Sequence, residues 1–361
     1  MRIVIKLGSS LLSGSAGVNT ILIDQLASQI LQLKEHQFAI VTSGAISTGM
    51  KKLNLNQKPK DVALLQALAA VGQSDLIRAY ENSFDQRKTL AQVLLTNHDF
   101  ADRMKYLNIR NTLNTLLNRD IIPIINENDT VTVMDIKKSA FGDNDALSAH
   151  ISVAVDADLL IILTNVDGLY DRNPKEKGAI LIKSVDAVSD LELTMCSGTS
   201  ELGRGGMLAK VRSAKIATEA GVRVIVANGS EKDVLIKAIK GSIGTTFSPS
   251  KNSKYNENKH WLAFASSPKG KIVVNNNAMQ CAINKSCGIN PADIISVSGP
   301  FDKGDVIEIL DSSGTLLSKG VTNYFSHELE KVLGRNSEEI YSILGFVYED
   351  AVSSSDMVIS S

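Results

Sequence analysis

The sequence has few of the residues that would indicate a disulfide-rich, zinc-binding or membrane-embedded protein. It contains three cysteines and five histidines in 361 residues. Cys196, Cys281 and Cys287 show neither paired-thiol nor zinc-ligand spacing. No apolar run approaches the roughly 20 residues of a membrane span. The apolar stretch in the start MRIVIKLGSSLL is too short for a secretory signal and contains a charged residue too early. These absences predict no disulfide framework, no membrane partner and a reducing, cytoplasmic setting.

There is also no excess of charge of either sign. The chain has 38 Lys+Arg against 39 Asp+Glu, a net charge of −1, which gives no general attraction to nucleic acid. Residues 251–361 hold 10 Lys+Arg and 13 Asp+Glu, a net charge of −3, whereas binding to nucleic acid phosphates needs a basic face. A small-molecule partner fits this balance better.

Three common nucleotide or metal motifs are missing. The chain has no G-x-x-x-x-G-K-[ST] and no H-E-x-x-H. GRGG at 203–206 cannot complete G-x-G-x-x-G, because position 208 is Leu. A P-loop, a Rossmann dinucleotide site and a zinc hydrolase are therefore not supported.

Short β-branched runs alternate with segments of helical periodicity up to about residue 247. The predicted strands are 3–7, 38–42, 90–95, 121–125, 159–164 and 222–227. Two amphipathic helices are marked by Leu22, Leu26, Ile30 and Leu33, and by Leu64, Leu65, Leu68 and Val71. Because the strand runs are continuously apolar, we expect an α/β fold with a largely parallel sheet sandwiched by helices.

A second domain is predicted after this region. Residues 1–247 would form the first domain, and the polar stretch 248–267 reads as a linker. Short strand-like runs separated by glycine turns at 268–347 predict a small, mainly-β domain. Residues 348–361 are predicted to be a poorly ordered tail.

Polar residues and glycines collect where the predicted strands end, the edge at which open α/β sheets bind ligands. Lys6 lies near the end of the first strand, just before Gly8, and Lys210 lies one turn inside a helix that GRGGMLAK (203–210) would begin. Each lysine could simply extend into solvent. Two lysines at one edge would instead suit phosphoryl transfer, where positioning and charge neutralisation supply most of the catalysis.

The stretch FGDNDALSA places Asp143, Asn144 and Asp145 directly before an apolar run. One interpretation is a turn and helix cap, because Asp and Asn accept hydrogen bonds from the first helical turn. The other is a functional site, in which Asp145 stands between the two lysines and orients them. Asn144 would then contact substrate and Asp143 would support the turn.

Seven segments in this order resemble the glutamate 5-kinase family of the amino-acid kinase superfamily: KLGSS, VTSGAI, AAVGQS, PIINEND, FGDNDALSA, LTNVDGLY and GRGGMLAK. The resemblance runs to about residue 347, since the C-terminal part is similar to a PUA domain. It implies ATP-dependent phosphorylation of the side-chain carboxylate of L-glutamate in proline biosynthesis, with Mg²⁺ carried by the nucleotide. It also implies inhibition by proline, a homo-oligomer and a glutamyl phosphate reductase partner.

The resemblance assigns roles to residues of this chain. Lys6 and Lys210 would contact the transferring phosphate, and Asp145 would orient them. The glutamate-binding and supporting positions would be Ser43, Asp129, Asn144, Asn126 and Asp143. The nucleotide-binding positions, besides Lys6, would be Thr164, Asn165, Arg204, Gly205, Gly206, Met207, Leu208, Ala209 and Lys210. Asn165 and Arg204 depart from the family pattern, which could alter nucleotide contacts.

Two alternatives remain open from the residues. Other members of the superfamily use similar lysines to phosphorylate acetylated glutamate, aspartate, carbamate or nucleoside monophosphates. The PUA-like part could instead be the active part and bind RNA, as PUA domains in other proteins do, although its negative charge argues against this.

Overall fold

The structure, a computed structural model, describes residues 1–14, 17–131, 144–186, 188, 206–249, 262, 266–278, 280, 287–348 and 350–359. The chain forms two compact units. The first consists of Met1–Asp99 and Lys105–Lys254, and the second of Phe100–Met104 and Tyr255–Ser361. The predicted limits at residues 247 and 268 stay predictions.

The described residues of the first unit include an eight-stranded sheet in the order β5-β6-β4-β1-β7-β9-β10-β8 and a separate two-stranded ribbon, β2-β3. In chain order the strands are β1 (Arg2–Leu7), β2 (Ser13–Gly14), β3 (Gly17–Val18), β4 (Gln37–Val41), β5 (Leu90–Leu95), β6 (Ile122–Glu127), β7 (Leu159–Thr164), β8 (Ser184–Val185), β9 (Arg223–Asn228) and β10 (Thr245–Phe247).

The six strands from β5 to β9 in the sheet order are parallel. Their apolar runs explain this arrangement, because parallel strands are covered on both faces. β7 is buried at every position, and β1 is buried everywhere except Arg2. β10 differs, since it pairs antiparallel with β9. The predicted α/β fold with a largely parallel sheet is confirmed.

Helices flank this sheet. The helices in the part of the chain before residue 255 are α1 (Ser9–Leu12), α2 (Thr20–Gln32), α3 (Ala45–Lys52), α4 (Val62–Phe84), α5 (Asn97–Ala101), α6 (Arg103–Asn118), α7 (Asp145–Ala154), α8 (Gly206–Glu219) and α9 (Val234–Ile239). Of these, α5 and α6 include residues of Phe100–Met104, which belong to the second unit. The two helices predicted from leucine spacing are α2 and α4. Each starts at a polar cap: the Asn19 side chain accepts from the Leu22 N–H, and the Asp61 side chain accepts from the Leu64 N–H.

Two glycines bring α3 and α4 into close contact. A Cβ atom added at Gly72 would lie 2.0 Å from the Ala45 carbonyl oxygen and 2.4 Å from the Gly49 nitrogen. One added at Gly49 would lie 2.0 Å from the Leu68 carbonyl oxygen. Because these neighbours are backbone atoms, only glycine allows the two helices to approach this closely.

The second unit contains a five-stranded sheet in its described residues, in the order β12-β11-β13-β14-β15. Its elements are β11 (Gly270–Val274), a 3₁₀ helix (Pro291–Asp293), β12 (Ile294–Ser298), β13 (Val306–Leu310), β14 (Leu316–Thr322), α10 (Ser326–Val332), α11 (Ser337–Leu344) and β15 (Val352–Ile359). It has its own hydrophobic core, which includes Ile307, Ile309 and Tyr324. The predicted small, mainly-β domain is confirmed.

Two sequence-based expectations are corrected in this unit. The predicted disordered tail is wrong for Val352–Ile359, because this segment pairs antiparallel with β14 and buries Met357. Cys287 is disulfide-bonded, so the paired cysteine that the spacing did not predict is the second correction. In the part of the chain that the structure describes, no helix is both long and apolar enough to cross a membrane.

Candidate active site

The parallel register brings the predicted site residues to one edge of the sheet. Lys6 on β1 is level with Val41 of β4 and with Ile162 of β7. Val41 is in turn level with Ile125 of β6. The residues that continue these strands, Ser43, Asn126 and Thr164, therefore lie at the same carboxyl edge as Lys6.

Asp145 lies between the two predicted lysines. The Lys6 Nζ atom is 2.7 Å from Asp145 Oδ1, and the Lys210 Nζ atom donates to Asp145 Oδ2 at 3.0 Å. The side chains of Lys6 and Asp145 are fully buried, and that of Lys210 is 7% exposed. The sequence-based grouping of these residues is therefore reproduced by the geometry, with one carboxylate contacting both ammonium groups.

Local structure explains how these three groups meet. Lys6 comes from the central strand β1, Asp145 is the first residue of α7, and Lys210 lies in the first turns of α8. Asp145 is favourably placed there, because the amino end of a helix carries a partial positive charge. Lys210 also donates to the Gly206 carbonyl oxygen at 3.2 Å. Two ammonium groups thus meet at one buried carboxylate, and positively charged groups of this kind can bind an anionic ligand such as a phosphate.

Gly8 keeps the space beside Lys6 open. A Cβ atom at this position would lie 3.9 Å from Lys6 Nζ and 3.5 Å from the Leu163 carbonyl oxygen. The Gly8 N–H donates to that same carbonyl at 3.3 Å, which fixes the turn after β1 against β7. A ligand can therefore approach the backbone closely next to the buried ammonium group.

Asn144 does not act as a side-chain helix cap. It occupies the cap position of α7 without a capping hydrogen bond. Its Nδ2 atom instead donates to the Thr42 carbonyl oxygen, to Asn126 Oδ1 at 2.8 Å and to Ser43 Oγ at 3.3 Å. The cap interpretation is thus not supported for Asn144, whose side chain joins the ends of β4 and β6.

Helix α4 contributes residues that the sequence analysis did not assign to the site. Asn126 Nδ2 donates to Gln73 Oε1 at 2.9 Å. The Tyr80 hydroxyl is 2.8 Å from Thr42 Oγ1. Burial raises the pKa of Tyr80 well above its ordinary value, so the hydroxyl stays protonated. Gln73 belongs to the AAVGQS segment, which contributed to the family resemblance but was not assigned a role.

Asp129 lies two residues beyond the end of β6 and is half-buried. Burial raises the pKa of its carboxyl to about 6, and the positive charge of Lys58 opposes part of that rise. A nearby cation stabilises the ionised form of a carboxyl whose pKa is raised in this way. Such a group is suited to bind a cationic part of a ligand.

The predicted nucleotide residues lie on β7 and α8 where they are described. Thr164 ends β7, and its carbonyl oxygen accepts from the Gly229 N–H at 2.8 Å. Asn165 is exposed, and its Oδ1 accepts from Thr164 Oγ1 at 3.4 Å. Gly206, Met207, Leu208 and Ala209 form the first turn of α8. Three predicted site residues, Asp143, Arg204 and Gly205, lie outside the described residues.

Known proteins share both parts of this architecture. Residues 1–228 match the sequence profile of the amino acid kinase family, and residues 270–344 match that of the PUA domain. A carbamate kinase from Giardia lamblia, solved bound to AMP-PNP, has a TM-score of 0.51 at 15% identity, covering 69% of this chain and 98% of that one. This likeness concerns the fold alone.

Curated relatives cover almost the whole chain. Glutamate 5-kinase of Caldanaerobacter subterraneus subsp. tengcongensis is 43% identical over 359 residues, covering 98% of this chain and 95% of the relative. Glutamate 5-kinase of Syntrophotalea carbinolica is 41% identical over 357 residues, covering 97% and 95%. The chain belongs to the amino acid kinase family and carries a PUA domain after the kinase region.

Proposed function

We propose that this protein transfers the γ-phosphoryl group of ATP to the side-chain carboxylate of L-glutamate, giving L-glutamyl 5-phosphate, the first step of proline biosynthesis. The observation that carries the proposal is the buried Lys6–Asp145–Lys210 cluster at the carboxyl edge of the sheet. The names of the curated relatives support glutamate as the acceptor.

The chemistry needs positioned charge and no general base. A glutamate side chain has an ordinary pKa of about 4.3, so the carboxylate is already ionised at neutral pH. One of its oxygens attacks the γ-phosphorus, and the bond between that phosphorus and the oxygen it shares with the β-phosphate breaks, releasing ADP. Lys6 and Lys210 neutralise the charge on the transferring group, and Asp145 holds the two ammonium groups in place.

Mg²⁺ would accompany the nucleotide. Among the described residues, no group of three or more His, Cys, Asp or Glu side chains is arranged to hold a metal ion. The carboxylate at the centre of the site, Asp145, contacts two lysines. Mg²⁺ carried with ATP would lower the mutual repulsion of the phosphate oxygens.

The acceptor would lie between the ends of β4 and β6. Asp129 is the partner for its α-ammonium group, because a cationic neighbour stabilises the ionised form of this half-buried carboxyl. Ser43 and Asn144 would contact its polar groups, with Asn126 and Asp143 in support. Thr164, Asn165 and the segment from Arg204 to Lys210 would hold the nucleotide.

Turnover of ATP with a panel of acceptors tests this proposal. Free glutamate, acetylglutamate, aspartate and a nucleoside monophosphate would be compared, with hydroxylamine to trap any acyl phosphate. Glutamate should give the trapped product, and Lys6→Met and Lys210→Met should lower kcat by a factor of about 100 or more. Lys52→Met is the matched control, since that lysine pairs with Asp75 on an exposed surface. Turnover of a different acceptor alone would overturn glutamate as substrate.

Regulation and assembly extend this proposal. We expect proline to inhibit turnover, the chain to form a homo-oligomer and the unstable acyl phosphate to pass to a reductase. The cytoplasm is the expected compartment because ATP is available there, although the disulfide at Cys287 is unusual for that setting. Inhibition assays with proline, light scattering and thiol labelling in intact cells test these points separately.

A further inference from the structure

Three side-chain amides form a chain from α4 to the ends of β4 and β6. Asn144 Nδ2 donates to Asn126 Oδ1 at 2.8 Å, and Asn126 Nδ2 donates to Gln73 Oε1 at 2.9 Å. We propose that Gln73 is a positioning residue, which orients the Asn126 and Asn144 amides and thereby sets the affinity for the acceptor substrate. This inference rests on the proposed function of the site.

Backbone groups fix which atom of each amide is the oxygen. The Glu127 N–H can only donate, and it lies 2.9 Å from the Asn126 oxygen. The Thr42 carbonyl can only accept, and it receives a hydrogen bond from the Asn144 nitrogen. The orientation of both amides therefore follows from their fixed neighbours. With Asn126 so oriented, its nitrogen faces Gln73, which must present an acceptor.

The direction of these hydrogen bonds determines what Asn144 offers to a ligand. A primary amide carries two hydrogens. Those of Asn144 are directed to three protein oxygens, on Thr42, Ser43 and Asn126. Its carbonyl oxygen is the atom that can meet the acceptor substrate, so it would accept from a donor such as an ammonium group. Asn144 would thus assist Asp129 in recognising the α-ammonium of an amino acid.

The close contact between α3 and α4 holds Gln73 in place. Gln73 directly follows Gly72, whose Cα lies against the backbone of α3, and α3 begins two residues after Ser43. Tyr80, two turns further along α4, contacts Thr42 Oγ1 at 2.8 Å. Helix α4 is therefore tied to the site at two points on one face, and the Gln73 amide has little freedom to move.

Removing the hydrogen-bond-accepting oxygen of Gln73 would disturb binding of the acceptor substrate more than phosphoryl transfer. Asn126 is 1% exposed, so its nitrogen would lose a partner where water cannot easily replace it. The Asn126 amide would then rotate and draw Asn144 with it. The contacts of Lys6 and Lys210 with Asp145 involve none of these three amides. The KM for the acceptor should therefore rise roughly ten- to hundredfold, while the KM for ATP stays within about threefold.

The test compares three variants of the full chain. Gln73→Leu removes the hydrogen-bond-accepting oxygen and nearly keeps the side-chain size. Gln73→Glu keeps an oxygen facing Asn126 and should restore most of the affinity for the acceptor substrate. Ser74→Ala, at the neighbouring exposed position, should behave as wild type. Should Gln73→Leu not fold, Gln73→Met takes its place; if neither folds, the contact is structural and the inference is wrong.

Other outcomes also contradict the inference. The KM for ATP and the KM for the acceptor substrate could rise equally in Gln73→Leu, or Gln73→Glu could bind the acceptor substrate as weakly as Gln73→Leu. Either result would show that Gln73 does not act through its side-chain oxygen. Wild-type turnover with the acceptor panel is measured first, so a failure of glutamate as substrate is recognised separately. A second readout needs no activity: the side-chain amide resonances of Asn126 and Asn144 should shift in Gln73→Leu and not in Ser74→Ala.

Discussion

At the scale of single residues, the site depends on the charge balance around Asp145. The sequence could predict that Lys6, Asp145 and Lys210 act together, because a lysine in an apolar strand needs an anionic partner. It could not predict the amide contact of Gln73 with Asn126, since a neutral amide can hydrogen-bond to many donors and acceptors and does not require a charged partner. The contact between Gln73 and Asn126 depends on where the tertiary fold places α4 relative to the end of β6.

Replacing Asp145 by Asn should both lower activity and destabilise the protein. The change keeps the side-chain shape but leaves two buried ammonium groups without their carboxylate, which costs about 3 to 5 kcal/mol in stability. Thermal unfolding and kcat measure the two effects. Inorganic phosphate should raise the melting temperature of Asp145→Asn more than that of wild type, because an anion replaces the missing charge.

Asp75→Asn is the control for this prediction, because that carboxylate pairs with Lys52 at the surface, where ion pairs contribute about 0 to 1 kcal/mol. A variant Asp145→Asn with wild-type stability and kcat would mean that the two lysines do not need the carboxylate.

Asp129 should make acceptor binding depend on pH. Its carboxyl has a pKa of about 6, and only the ionised form attracts an ammonium group. The KM for the acceptor should therefore rise as the pH falls below about 6, approaching tenfold per pH unit. In Asp129→Asn the KM should be high and should not change with pH over this range. A flat profile for wild type between pH 5 and 7.5 would contradict the role.

The same group has the opposite effect on stability. Its pKa is about 6 in the folded protein against 3.8 for the ordinary carboxyl, so the folded state binds the proton more tightly. Its contribution to stability is therefore greatest below about pH 4 and is lost as the pH rises through 6. Asp129→Asn should consequently be slightly more stable than wild type at pH 7, as thermal unfolding at pH 4 and pH 7 can show. A lower melting temperature at pH 7 would argue against desolvation as the cause.

At the scale of elements, the apolar periodicity predicted the central strands and the helices α2 and α4. It did not predict β15, because Val352–Ile359 contains three consecutive serines and a polar pattern. That strand is stabilised by backbone pairing with β14 and by the burial of Val352, Met357 and Val358. The sequence pattern also did not predict the packing of α3 on α4, because glycine has a low helix propensity and ordinarily indicates an unstable helix.

Gly72→Ala should separate these two helices. The added Cβ would lie 2.0 Å from a backbone oxygen, so the helices must move apart and the stability should fall by about 1 to 3 kcal/mol or more. The KM for the acceptor should rise as well, because Gln73 moves with α4. Urea unfolding and steady-state kinetics measure both effects, with Ser74→Ala as the control on the same helix. An increase in stability, as expected from helix propensity alone, would contradict the contact.

At the scale of the whole molecule, the sequence predicted a kinase region followed by a small mainly-β unit. The loss of apolar rhythm after residue 247 was a sufficient signal for two domains, because each domain needs its own core. The structure shows these cores separately, one around β7 and α4 and one around β13 and α10. The role of the second unit was not readable from composition, since its net charge of −3 only argues against a general affinity for RNA.

Separate cores should give separately measurable stabilities. Ile161 of β7 and Ile309 of β13 are both fully buried, and each Ile→Val change should cost about 0.5 to 1.5 kcal/mol. In our proposal, ATP and the acceptor substrate bind only to the kinase region. These ligands should therefore raise the urea midpoint of the unfolding transition that Ile161→Val destabilises. They should leave unchanged the midpoint of the transition that Ile309→Val destabilises. One common transition, weakened equally by both changes and protected equally by ligand, would mean that the two cores unfold as a single cooperative unit. In that case the PUA domain would contribute directly to the stability of the kinase region, and its loss should reduce ATP turnover.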